Sequence, residues 1–163
     1  MPRVEISREV LQTLERMARR EMSGQNSGSV ESIRSGQRFV RIRNETDQDL
    51  ARWSVLGLSG VVITPETNSP EFEAGPVFKG VNPTSAHIGK YAVLQEPLAA
   101  GAIGRAVVSG DTVCRVQVNS ALHGFAEITP GITSKLTSGV SGTAQILFAE
   151  STLGPGLAYV RLL

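Results

Sequence analysis

His87, His123 and Cys114 have the most chemistry to offer: two imidazoles and one thiol, the only ones in the chain. His87 stands in SAHIG with no adjacent acid, and His123 in ALHGF has Glu127 four residues on. Neither lies in the HxH or HExxH spacing that puts two imidazoles on one metal ion. An enzyme would need Cys114, His87 and His123 to meet in one pocket. Cys114 falls in TVCRVQV on the same side of an extended strand as Val116 and Val118, which reads as a small buried hydrophobe. Two pairs of carboxylates, Asp47 with Asp49 and Glu71 with Glu73, lie in polar segments and read as solvated acids. Glycoside chemistry needs its carboxylates opposed across a cleft. The sequence contains no GxSxG, and the glycine segments Gly101–Gly104 and Gly154–Gly156 precede no helical pattern that could cradle a phosphate. The expectation is a protein without catalytic residues, metal ligands or cofactor.

The elements that would position these residues fall into three parts. Residues 1–22 read as a helical arm. Ser7 is suited to the N-cap, and Ile6 and Leu11 occupy the two positions of a hydrophobic staple. Val10, Leu11, Leu14 and Met17 then form an apolar stripe at helical spacing, and Arg16, Arg19 and Arg20 gather at the C-terminal end, where the helix dipole favours cations. Residues 23–36 (SGQNSGSVESIRSG) read as a flexible Gly/Ser-rich linker. A short helix on a tether cannot bury its own stripe; the stripe must lie against the β domain, a neighbouring copy or a different protein, and these four apolar residues are the expected partner-binding surface.

Residues 37–163 read as a mainly β domain, an antiparallel barrel or sandwich of nine or ten short strands. RFVRIR alternates, with Val40 and Ile42 on one face. Ser59–Gly60 is expected to turn a hairpin between WSVLGL and VVIT, and Gly110–Asp111 a second between Ile103–Ser109 and Thr112–Val118. PETNSPEFEAGP (65–76) reads as a polar loop. Further strands are expected at Val77–Val81, Lys90–Gln95, Phe125–Thr129, Ala144–Ala149 and Leu157–Leu162. The sequence shows no internal repeat. Open sheet edges in such a domain would invite pairing between copies.

Composition narrows the partners. The formal charge of +1 gives no general attraction to nucleic acid or anionic membrane. No run approaches the roughly 18 apolar residues of a membrane-spanning helix. The N-terminus lacks the apolar core of a secretion signal, and a single cysteine permits no intrachain disulfide, which suits a reducing cytoplasm. Thirteen arginines stand against three lysines, and most of those arginines lie in the first third among interleaved acids. That pattern describes a self-compensating surface or an Arg-lined contact with an acidic partner.

The most distinctive stretch is Gly89–Val118 (GKYAVLQEPLAAGAIGRAVVSGDTVCRVQV). Its pieces Gln95-Glu96-Pro97, Ala100-Gly101, Ile103-Gly104-Arg105-Ala106, Gly110 and Arg115-Val116 are followed by Ser141–Leu147 (SGTAQIL) and a terminal Val160-Arg161-Leu162. In this order they resemble β domains encoded in the structural gene clusters of tailed phages and prophages. More distantly they resemble the small β-barrel cement, or decoration, proteins of phage capsids. The similarity runs over roughly residues 40–163 and leaves out the arm and linker. It implies a non-enzymatic virion protein, assembled in the host cytoplasm, that stabilises contacts between major capsid subunits. It also implies a homo-oligomer, a trimer by preference. The alternatives are a tail, neck or fibre adaptor of the virion, or a soluble glycan- or peptide-binding β module. The last would need an exposed aromatic platform around Trp53, Phe72 or Phe78, although Trp53 in WSVLGL reads as a core residue.

Overall fold

A computed structural model describes residues 12, 13, 15, 16 and 36–163. The chain divides at Ser35/Gly36 into two units. The fold described below is that of the second, Gly36–Leu163. Val10, Leu11, Leu14 and Met17 lie outside the described residues; of that stretch Gln12, Thr13, Glu15 and Arg16 are described, and they are helical and exposed.

Gly36–Leu163 is mainly β. Its strands are β1 (Arg38–Asn44), β2 (Val55–Val61), β3 (Val77–Val81), β4 (Tyr91–Leu94), β5 (Ile103–Val118), β6 (Phe125–Glu127), β7 (Leu136–Gly139), β8 (Ala144–Ala149) and β9 (Gly154–Leu162). One helix, α1 (Pro65–Ala74), joins β2 to β3, and a 3-10 turn at Ser85–His87 precedes β4. The polar loop expected at 65–76 is therefore largely helical. Pro65 sits at its start, where a missing N–H costs nothing, and the helix breaks at Asn68 (φ −158°, ψ 90°) two residues before Pro70.

The ladders close on themselves twice. β1 pairs with β3, β3 with β2, β2 with β4, β4 with β5, and β5 returns to β1. β5 then pairs with β7, β7 with β6, β6 with β8, β8 with β9, and β9 returns to β5. The two rings share β5. Their pairing patterns are the same: the first strand of each is parallel to the third, and every other contact is antiparallel. The sheet is therefore mixed rather than antiparallel. The repeat missing from the sequence is present in the topology, because pairing order depends on hydrophobic pattern and turn placement, not on residue identity.

Both expected hairpins give way to continuous strands. Ser59 and Gly60 lie inside β2, which passes a register shift between Leu58 and Val61. Gly110 and Asp111 lie inside β5, sixteen residues long. The segments before and after Gly110 do not pair with each other. The first serves β1 and β4, and the second β7 and β9. Gly110 adopts φ +91°, and a Cβ there would stand 2.4 Å from the carbonyl oxygen of Gly36. Glycine is required on both counts, conformation and space. Each strand has two neighbours, although β3 covers β1 only from Arg41 to Asn44 and β6 covers β8 only at Ala144 and Gln145.

Two cores result. Ile42, Leu56, Ala92, Leu94 and Ala106 fill the first ring with Leu50 and Leu98. Val55, Tyr91, Val93 and Val107 point the other way and join Cys114, Val116, Leu136 and Val160 in the second core. β2 and β4 are thus buried on both faces, which is why VLG and YAVL read as continuous apolar runs. Asn44 closes one end of the first ring. Its buried amide donates to the carbonyls of Gln48 and Leu98 (2.8 and 3.1 Å) and accepts from Thr46 N–H and Oγ1 (2.9 and 2.6 Å). Glu127 ties the rings together: its carboxylate accepts from Thr143 N–H and Oγ1 (3.1 and 2.8 Å) and from Ile128 N–H (3.0 Å), while Thr143 Oγ1 lies 3.3 Å from the Tyr91 hydroxyl.

Candidate functional site

The three chemically capable residues are kept apart by their partners. Cys114 is fully buried, its Sγ 3.4 Å from the Arg115 carbonyl. Burial pushes its thiol up to about 12, the reverse of what a nucleophile needs. The expected alternation with Val116 and Val118 holds, since all three are buried. His87 is buried in its 3-10 turn, its Nδ1 accepting from Thr84 N–H at 3.0 Å. Its ring lies on the backbone of Gly57, where a Cβ would come within 2.5 Å. His123 Nδ1 is 2.9 Å from Ser138 Oγ, which itself accepts from Asn119 N–H at 2.8 Å. His87 thus serves its own turn, and His123 ties its loop to β7. Among the described residues no three His, Cys, Asp or Glu side chains gather as a metal site. Of the loop acids, Asp49 accepts from Ala100 N–H at 3.0 Å and Glu73 from Ser69 Oγ at 3.0 Å. Both hold local backbone or side-chain geometry.

The aromatic platform suggested around Trp53, Phe72 and Phe78 does not form as one surface. Phe78 lines a cleft beside Phe39 and α1, and Trp53 lines another. Trp53 is half-buried against the second core with the Arg52 guanidinium 4.1 Å over its ring. It is also the one described non-glycine residue with positive φ (+71°). Such a backbone costs about 1–3 kcal/mol and persists where the surroundings over-determine it. Here Trp53 N–H is held by Leu94 O (3.0 Å), and Arg52 O accepts from Arg115 Nη1 (2.9 Å).

A surface absent from the sequence reading lies on the outside of the second ring. Along β9, Ala158, Val160 and Leu162 point inward while Leu157 and Tyr159 face solvent. Along β8, Ile146 packs on the core, and the ladder to β9 then shifts register between Ile146 and Phe148. A strictly alternating strand would turn Phe148 inward with Ile146. The bulge at Leu147 turns it outward and returns Ala149 to the core. Phe148, Tyr159 and Val113 then stand side by side across β8, β9 and β5, with Leu157 and Arg115 in the next row. Phe148 is 66% exposed, Leu157 42% and Tyr159 37%. The strip is bounded by the Asp111–Arg161 ion pair (2.8 Å) at one end. At the other end, a cleft of about 430 Å³ lies between Trp53, Arg115, Glu150, Pro155 and Leu157.

No known protein family matches this chain, and neither a curated protein nor a solved structure is significantly similar to it. The strip, not a catalytic constellation, is therefore the feature from which a function has to be argued. A signal for it exists in the sequence. LAYVRL alternates with small Ala158 on one side and large Leu157 and Tyr159 on the other, and AQILFA sets Leu147 beside Phe148, which one regular face cannot bury together.

Proposed function

We propose that this protein is a non-enzymatic virion component, a capsid cement protein that adds contacts across the boundaries between major capsid subunits. The two closed ladder rings are read as a pair of small barrels sharing one strand. Every strand has a partner on both sides, which favours binding through side-chain faces. The observation that carries the proposal is the outward strip of Phe148, Tyr159, Val113 and Leu157. Contiguous exposed apolar surface of this kind marks protein–protein contact sites, and here a register shift brings Phe148 into it. The resemblance of Gly89–Val118 to phage structural β domains supports the choice of partner. The apolar stripe at Val10, Leu11, Leu14 and Met17, on its linker, supplies a second contact that acts at high effective concentration once the first is made. A small homo-oligomer, a trimer by preference, would present several arms at once.

The test is made on assembled particles. Reconstruction with a labelled copy should place the body on the capsid shell, and deletion of residues 1–36 should lower its occupancy. Label confined to the tail or neck would favour the adaptor reading instead, and full occupancy without residues 1–36 would remove the role given to the arm.

The strained backbone of Trp53 favours a second reading, a peptide- or glycan-binding module using the cleft beside Arg115 and Glu150. Trp53 is the sole tryptophan, so its fluorescence reports on that cleft directly. Saturable emission changes with oligosaccharides or extended peptides would support this reading.

A further inference from the structure

We propose that the Phe148–Tyr159–Val113 strip is the docking face for the N-terminal helical stripe of a second copy of this chain. The proposal deepens the cement reading, on which it rests: strip and arm are the contacts by which neighbouring copies, each seated on a capsid subunit, hold one another across the subunit boundary.

Three observations select this occupant. The first is where the described domain begins. Gly36 packs its carbonyl on Gly110, and Gln37 Nε2 donates to Asp111 O at 2.6 Å. The N-terminal segment therefore leaves the body two residues along β5 from Val113, at the rim of the strip. Residues 23–35 are thirteen in number, and a flexible chain of that length has an end-to-end distance of about 20 Å. Copies that exchange arms need only bring the neighbouring rims of their strips within that reach.

The second is size. From Val10 to Met17 the stripe covers about 10 Å at 1.5 Å per residue. Phe148 and Val113 are two strand spacings apart, about 10 Å in all at close to 4.8 Å each. A helix laid across β8, β9 and β5 would match its stripe to the row. A helix of this length needs no strand pairing to dock, only the side-chain face.

The third is charge. Glu150 stands at the Leu157 end of the strip and takes part in neither ion pair of the described residues; its carboxylate accepts from Leu157 N–H at 3.1 Å. Arg16, Arg19 and Arg20 gather at one end of the stripe. With the helix C-terminal end over β8, those arginines meet the Glu150 carboxylate in the row beside Phe148, while the Asp111–Arg161 pair flanks the row on its opposite side. Exchange of arms around a ring, each copy's stripe on the next copy's strip, closes a symmetric oligomer without further surface.

Two populations of the full chain test this, both carrying Cys114→Ser. One has Leu14→Cys and a size tag, and the other Tyr159→Cys. Mixed and mildly oxidised, they should give a disulfide-linked pair of one tagged and one untagged chain. Phe148→Asp in the second population should reduce that product at least tenfold, whereas Ile103→Asp, at a 52% exposed position ten residues before Val113 on β5, should leave it unchanged. Absence of the mixed product overturns the proposal. So does a chain carrying both cysteines that closes only on itself at concentrations where the native chain associates. The cross-link is read on purified chains and the capsid position on particles, so the docking face and the cement reading can fail separately.

Discussion

Phe148 and Tyr159 stand directly opposite each other on β8 and β9 with both rings outside the second core. The pair exists because the ladder slips by one residue at Leu147. A regular β8 would turn Phe148 toward the core and set Leu147 opposite Tyr159. Cross-strand aromatic pairs contribute about 0.2–1 kcal/mol to a sheet, a small return for an irregular ladder. The bulge is better explained by what it displays. Phe148→Ser should therefore change unfolding free energy by no more than about 1 kcal/mol while weakening self-association at least tenfold. Chemical denaturation and sedimentation, run side by side, separate the two effects. A large loss of stability would make Phe148 a packing residue instead.

Gly110 is the joint between the two rings. Gly110→Ala meets both a left-handed backbone and the Gly36 carbonyl. Destabilisation of about 2 kcal/mol or more is expected, since strain and overlap each cost upwards of 1 kcal/mol. Ser109→Ala, at the preceding and only partly buried position, serves as the control and should be near neutral in urea unfolding.

Gly57 and His87 are coupled by contact. Gly57→Ala should cost about 1–3 kcal/mol, because the new methyl would overlap the imidazole ring. His87→Ala should cost stability of its own by freeing Thr84. In the double variant the methyl finds the vacated space, so the two losses should fall short of adding. Strict additivity in a double-mutant cycle would contradict the packing described.

Cys114 and Tyr91 set an alkaline limit. Burial raises the Cys114 thiol from an ordinary 9.0 to about 12, and burial also lifts the Tyr91 phenol above its ordinary 10.0. Both groups are held neutral in the fold, so their contribution is complete below pH 9. Above that the unfolded chain gives up protons that the folded chain keeps, and stability falls as pH rises toward 12. Cys114→Ala should remove the part of this slope that begins near pH 9 and leave the part due to Tyr91. In the native protein a thiol reagent should label Cys114 only as fast as the core opens; rapid labelling at neutral pH would contradict its burial.

The strands were legible in the sequence where one face is buried and the other wet. RFVRIR alternates because β1 covers one core, and LAYVRL because β9 does. Fully buried YAVL was legible as an apolar run. What the sequence concealed was connectivity. A Gly-Asp pair flanked by apolar runs is the local signature of a hairpin, yet at Gly110 the same residues let one strand continue through a bend. The difference lies in distant partners, β1 and β4 on one side and β7 and β9 on the other, and no local pattern encodes them. α1 was hidden by its own composition, since Pro70 and a kink at Asn68 break the apolar periodicity that marks a helix. Cys114 announced its burial through Val116 and Val118, whereas the strip on β8 and β9 depends on a bulge that alternation alone does not reveal.

The account rests on assembly between copies and not on chemistry within one. Both cores and both ladder rings lie within residues 36–163, so that part should fold without the arm. Sedimentation velocity on the intact chain and on the chain lacking residues 1–35 is the most direct measurement. The account predicts a concentration-dependent oligomer for the intact chain and a folded monomer for the shortened one. An intact chain that stays monomeric across the micromolar range, or a shortened one that forms the same oligomer, would contradict it.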